Sequence, residues 1–166
     1  VLAMAAEPGY VMARSPETAD VVMVNTCAFI EEARAESVET ILEMGERRRP
    51  GSKAIVIGCM AQRFGSELGL ALPEVDAVVG IDRYGELVGI LDQLTGWQPV
   101  QIRRRPIMDI LHAVGRPLSD LPYAYLKVAE GCSNRCAYCI IPSIRGRFRS
   151  RSLDDLAEED GRLAAG

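Results

Sequence analysis

Histidine is nearly missing from this chain of 166 residues: His112 stands alone. No second metal-binding arm accompanies it, so a zinc site built around this imidazole lacks partners in its neighbourhood. Also missing is any apolar run approaching the ~20 residues that a membrane span requires. No charged-then-apolar leader opens the chain either. Basic charge is not in surplus: 19 Lys and Arg against 23 Asp and Glu give a formal net charge of −4. Nothing in that balance asks for a nucleic-acid partner. These absences lead us to expect a soluble, cytoplasmic protein with no membrane association. What is there is apolar enough, at 48% hydrophobic, to bury a core for one domain or for one and a piece of a second.

An even set of cysteines is missing too. There are five, and three of them, Cys132, Cys136 and Cys139, crowd into one short stretch. A secreted disulfide scaffold would be smaller and evenly paired, and bridges closing such short loops strain the geometry. Reduced, metal-binding thiolates fit better. Both ends read as cut: Val1 opens on what looks like the last turns of a helix, and Leu163 to Gly166 looks like a helix tail. The expectation is a fragment of a longer protein.

Along the chain, short β-branched runs alternate with helical periods. Asp20-Val-Val-Met-Val-Asn-Thr26 suits a buried parallel strand. From Ile30 to about Arg48 a stripe of Ile30, Ala33, Val38, Ile41 and Leu42 predicts a helix, with acids at its start and arginines at its end. Lys53–Gly58 and Asp76–Gly80 predict two more strands, followed by helices over about 60–72 and 84–94. Such alternation implies a doubly wound, parallel α/β domain over residues 1–96. Residues 97–122 read as a linker with one strand near 100–102. A strand over 123–129 then leads into the cysteine loop. A helix from about Leu153, capped by Ser152, follows it, so 123–166 reads as the opening βα unit of a second domain.

The triplet Cys132-Ser-Asn-Arg-Cys136-Ala-Tyr-Cys139 carries the most specific chemistry. Three thiolates can hold three irons of a cubane 4Fe–4S cluster. A closed electron-transfer cluster or a structural zinc site wants four protein ligands, whereas three leave one iron open. Cys27 and Cys59 each follow a predicted strand. In a parallel sheet both therefore stand at the carboxyl edge, where open α/β sheets place their ligands. Gly58 would allow close backbone approach there. By residue type alone such cysteines are equally well buried packing.

The triplet's spacing, after a strand and Glu130-Gly131, resembles the signature of the radical S-adenosylmethionine enzymes. The segments around Asn25-Thr-Cys27-Ala-Phe-Ile-Glu, Val56-Ile-Gly-Cys59-Met-Ala-Gln-Arg63 and Pro73-Glu-Val-Asp-Ala-Val-Val-Gly80 resemble the amino-terminal domain of the methylthiotransferases. Glu130-Gly-Cys132 through Pro142-Ser-Ile-Arg-Gly146 resembles the start of their radical domain, a partial TIM-like barrel. The resemblance implies an enzyme with two 4Fe–4S clusters and S-adenosyl-L-methionine. Cys132, Cys136 and Cys139 would hold the cluster that cleaves the cofactor into a 5′-deoxyadenosyl radical. Tyr138 would lie against its adenine. Cys27 and Cys59 would hold two corners of the sulfur-donating cluster, with a third ligand upstream of Val1.

Within that family the wording of these motifs is similar to the ribosomal-protein branch, which methylthiolates the β-carbon of an aspartate in a small-subunit ribosomal protein. A tRNA-adenosine methylthiotransferase is the alternative. A non-catalytic zinc or iron–sulfur module is the rival from another class. Arg145, Arg147, Arg149 and Arg151 would share one face if extended, either as a charged edge strand or as a carboxylate-binding face. Arg103 to Arg105 read as solvated charge, and His112 is given no role.

Overall fold

The computed structural model describes residues 5, 9–96 and 123–165. The expected linker over 97–122, its strand near 100–102, His112, Arg103 to Arg105 and nearly all of the helical turns expected at the amino end lie outside them.

Three runs rich in branched side chains form a parallel sheet: β1 (Val21–Thr26), β2 (Lys53–Gly58) and β3 (Ala77–Val79), in the order β1-β2-β3. β1 and β2 pair from Val21 with Lys53 to Thr26 with Gly58. β2 is central and nearly all buried, as expected for a parallel strand covered on both faces. Its period of two sends Val56 one way, into a cluster with Val24, Ile41, Met60 and Leu68. Ile55 and Ile57 go the other way, to Val79, Leu87 and Leu91.

The first of these faces carries both crossover helices, α1 (Glu31–Arg47) and α2 (Cys59–Ala71). The second carries α3 (Leu87–Thr95), entered through a 3-10 turn over Ile81–Glu86. Ile55, Val56, Val79 and Leu87 are the largest fully buried side chains, each stabilising the fold by about 1.5–3 kcal/mol. The parallel pairing and two-sided cover agree with the sequence. The reversal of strand order that defines a doubly wound sheet does not occur among the described strands.

The apolar stripe of α1 needs correction. Ile30 is the N-cap and 59% exposed, and Leu42 is 40% exposed, whereas Ser37 and Ile41 are buried. The buried face turns about Ser37 because its hydroxyl is occupied: it donates to the Ala33 carbonyl at 2.7 Å and accepts from the Cys27 N–H at 3.1 Å.

The second segment contains β4 (Ala129–Glu130), α4 (Ile141–Arg145), β5 (Arg149–Ser150) and α5 (Leu153–Ala165), with β4 and β5 antiparallel. The strand expected over 123–129 shrinks to its last residue, because β5 is its one partner among the described residues and a strand without neighbours is not stable. Ser152 caps α5 as expected, its hydroxyl accepting from the Asp155 N–H at 3.3 Å. α4 joins the first segment, with Ile144 buried in the core cluster of β1, β2, α1 and α2 and Ile140 packed against it. The barrel expected to follow is not among the described elements.

Candidate cysteine-lined site

Thr26 and Gly58 are register partners at the carboxyl ends of β1 and β2. The residues that follow, Cys27 and Cys59, therefore leave the sheet side by side. The turn at Gly58 is possible only for glycine: its φ is +101°, and an added Cβ would sit 2.5 Å from the Thr26 carbonyl oxygen. Thr26 braces the same rim by donating its hydroxyl to the Ile57 carbonyl at 2.6 Å. Ser37 fixes Cys27 through its backbone N–H.

Both cysteines line a cavity of about 480 Å³ whose wall also includes Phe29, Tyr84, Glu130 and Arg145. Glu130 and Arg145 come from the second segment, and Glu130 stands two positions before the first cysteine of the triplet. Arg145 ties the sets together. Its guanidinium donates to the Cys59 Sγ at 3.4 Å and to the Glu130 carboxylate at 3.2 Å, and its Cζ lies 5.4 Å from the centre of the Phe29 ring, within reach of a cation–π contact. Its Nε is fully buried and meets no acceptor among the described residues. Burying such a donor unpaired costs about 1–3 kcal/mol.

Glu130 is buried and ion-paired with Lys127 as well as Arg145, and accepts the Gly131 N–H at 3.1 Å. Burial alone would raise its pKa. The hydrogen bonds from Lys127 and Gly131, with the charges of Lys127 and Arg145, outweigh that and hold it below the usual carboxylate range. Tyr84 is pushed up to about 12, chiefly by burial, so it enters the cavity wall as a neutral phenol.

The triplet is held by backbone. Gly131 has φ +77° and packs so close to the chain at Gly146 and Arg147 that an added Cβ would lie 2.3 Å from the Arg147 carbonyl oxygen. The Cys132 N–H donates to the Gly146 carbonyl at 3.1 Å, and the Cys139 N–H to the Cys136 carbonyl at 3.1 Å in a tight turn. Cys136 is exposed, Cys132 and Cys139 are half-buried, and all five cysteines are free thiols. The donor chemistry suits iron–sulfur ligation, since thiolates are the donors in the loop. The side chains are not gathered: no group of three His, Cys, Asp or Glu is placed to hold a metal ion among the described residues. Tyr138 is 93% exposed.

The arginine stripe does not form. Arg145 ends α4, and Arg149 sits in β5 and donates back to the Arg145 carbonyl. Arg151 is buried against Asp155 and Glu159 of α5. The turn at Gly146 breaks the extension on which a shared face depends. Ser37, Tyr84 and the pairing of Arg145 with Cys59 were not foreseen. No local pattern signals them, since residues 59 and 145 meet only through folding.

Residues 1–80 match the family described as Uncharacterized protein family UPF0004. Proteins named ribosomal protein uS12 methylthiotransferase RimO are similar over nearly the whole chain. The one from Anaeromyxobacter sp. (strain K) is 44% identical over 99% of this chain and 35% of its own length. That from Caldanaerobacter subterraneus subsp. tengcongensis is 41% identical over 99% and 38%. That from Geobacter sulfurreducens is 42% identical over 100% and 38%.

Over nearly its whole length the chain is similar to these methylthiotransferases. It spans between a third and two fifths of the length of these relatives. Among the described residues, no helix is long and apolar enough to cross a membrane.

Proposed function

We propose that this chain is the cysteine-bearing part of a radical S-adenosylmethionine methylthiotransferase. Its target is the β-carbon of an aspartate in the small-subunit ribosomal protein uS12. Cys132, Cys136 and Cys139 would hold one 4Fe–4S cluster, and Cys27 and Cys59 two corners of a second. Tyr138, exposed as it is, would meet the adenine of S-adenosylmethionine. The domain division is proposed with it: residues 1–96 as the sulfur-donating unit, 97–122 as a linker, and 123–166 as the start of the radical unit.

One observation carries this reading. Cys27 and Cys59, at paired strand ends, share a cavity with Glu130 and Arg145, the residues that bracket the triplet loop. When bound, the clusters and S-adenosylmethionine supply one-electron bond cleavage and the sulfur. The chain's own part is to set Cys27 and Cys59 on one cavity, with Glu130 and Arg145 of the triplet's segment in its wall. The relatives named for a ribosomal protein favour that substrate over tRNA.

The test uses the full-length protein, reconstituted anaerobically with iron and sulfide, supplied with S-adenosylmethionine and a one-electron reductant, and given uS12 or tRNA in separate reactions. A methylthio mass increment on an aspartate of uS12, lost in Cys136→Ala, is the expected result. Modification of tRNA alone, or zinc bound without acid-labile sulfide, would overturn the proposal.

A further inference from the structure

We propose that Arg145 is a positioning residue for the sulfur-bearing site. It hydrogen-bonds the Cys59 sulfur and holds it in register with the triplet loop through Glu130. The inference rests on the reading of Cys27 and Cys59 as ligands of a second iron–sulfur cluster.

Two independent observations meet at this side chain. One terminal nitrogen donates to the Cys59 Sγ at 3.4 Å and the other to Glu130 at 3.2 Å. The guanidinium is thereby a bridge between residues that stand 71 positions apart in the sequence, 59 and 130. Phe29, two positions after Cys27, packs on it, so the strand ends that bear Cys27 and Cys59 both press on one cation.

Arginine presents its donors in a rigid fork, so one side chain can serve the cysteine and the carboxylate without rearranging. Lysine at this position would keep the charge and lose the fork.

Hydrogen bonds to cluster sulfurs, and positive charge beside them, favour the more negative, reduced state and raise the reduction potential. The test therefore reads a potential, not only turnover. In the full-length protein, Cys132, Cys136 and Cys139 are replaced by alanine so that iron at the second site is observed alone. Arg145→Gln and Arg145→Lys are made in that background. Iron, acid-labile sulfide and the midpoint potential are then measured by redox titration with electron paramagnetic resonance.

The expected result is a potential that falls in R145Q, and by less in R145K, at unchanged iron content. An unmoved potential in both variants at full iron content would overturn the proposal and leave the ligand assignment intact. If R145Q fails to load iron, R145K decides: a lowered potential supports the bridging role, and a parental one refutes it. Absence of any iron–sulfur signal before Arg145 is changed would refute the ligand assignment, and the proposal falls with it.

Discussion

Gly58 shows what a single hydrogen in place of a side chain does for the site. Its φ of +101° lets β2 turn into α2 within one residue, and that turn sets Cys59 beside Cys27. In Gly58→Ala the new methyl would meet backbone atoms of Thr26 at 2.5 and 2.9 Å, which cannot swing aside as a flexible side chain could. We expect a loss of about 1–3 kcal/mol from the backbone strain alone, measured by urea unfolding. The same variant should lose iron from the second site while the triplet keeps its own. Arg151 is the opposite kind of residue, a large charge kept inside. Its side chain is 1% exposed, pairs with Asp155 and Glu159, and donates to the Lys127 carbonyl at 3.0 Å. Arg151→Ala would leave Glu159 buried without its cation, and a loss of about 3–5 kcal/mol is expected for breaking such a pair. A melting temperature equal to that of the parent would refute it.

At the scale of elements, Asp76 fastens the amino ends of two strands. It accepts from the Ala54 N–H, Lys53 Nζ and Arg48 Nη1, each at 2.9 Å. Burial would raise its pKa. Its hydrogen bonds from Lys53, Ala54 and Arg48, with the charge of Lys53, carry it below the ordinary aspartate value of 3.8. A depressed folded pKa means that the stabilisation is complete above 3.8 and is lost as pH falls through the lower folded value. Asp76→Asn should thus cost about 1.5–3 kcal/mol at neutral pH, and its deficit against the parent should shrink in acid. Denaturant midpoints taken across that range check the sign; a deficit that grew in acid would contradict it.

The strands were legible because Val21-Val-Met-Val and Ala54-Ile-Val-Ile are continuous apolar runs, the first buried on one face and the second on both, and such runs admit little else. The face of α1 was not, because a serine occupies the centre of the buried stripe on account of bonds to Ala33 and Cys27 that no periodicity encodes. Tyr123-Ala-Tyr-Leu-Lys-Val reads as a strand from composition, yet a strand exists only where a neighbour supplies hydrogen bonds. The triplet and the two strand-end cysteines could be named from spacing and position. The cation between them could not, since its partners are set by the packing of α4.

For the molecule as a whole, the seam between the segments decides most. Ile144 of α4 is 6% exposed and lies in the cluster with Val24, Ile41, Val56 and Leu68. Ile144→Ala should lower stability by about 2–5 kcal/mol, as truncation in a close-packed core does. It should also speed hydrogen exchange at the carboxyl ends of β1 and β2, where Arg145 would lose its footing. Exchange accelerated only in the segment from residue 123 onward would show the seam to be passive. That same isoleucine has a consequence during synthesis. Among the described strands the sheet ends at Val79, but its larger core cluster is not complete until residue 144 has been made. At about 5–20 residues per second, a nascent chain spends on the order of 3–13 s with that apolar face open. The interval is one in which chaperones can bind and iron can reach Cys27 and Cys59 before the door formed by α4 has been hung.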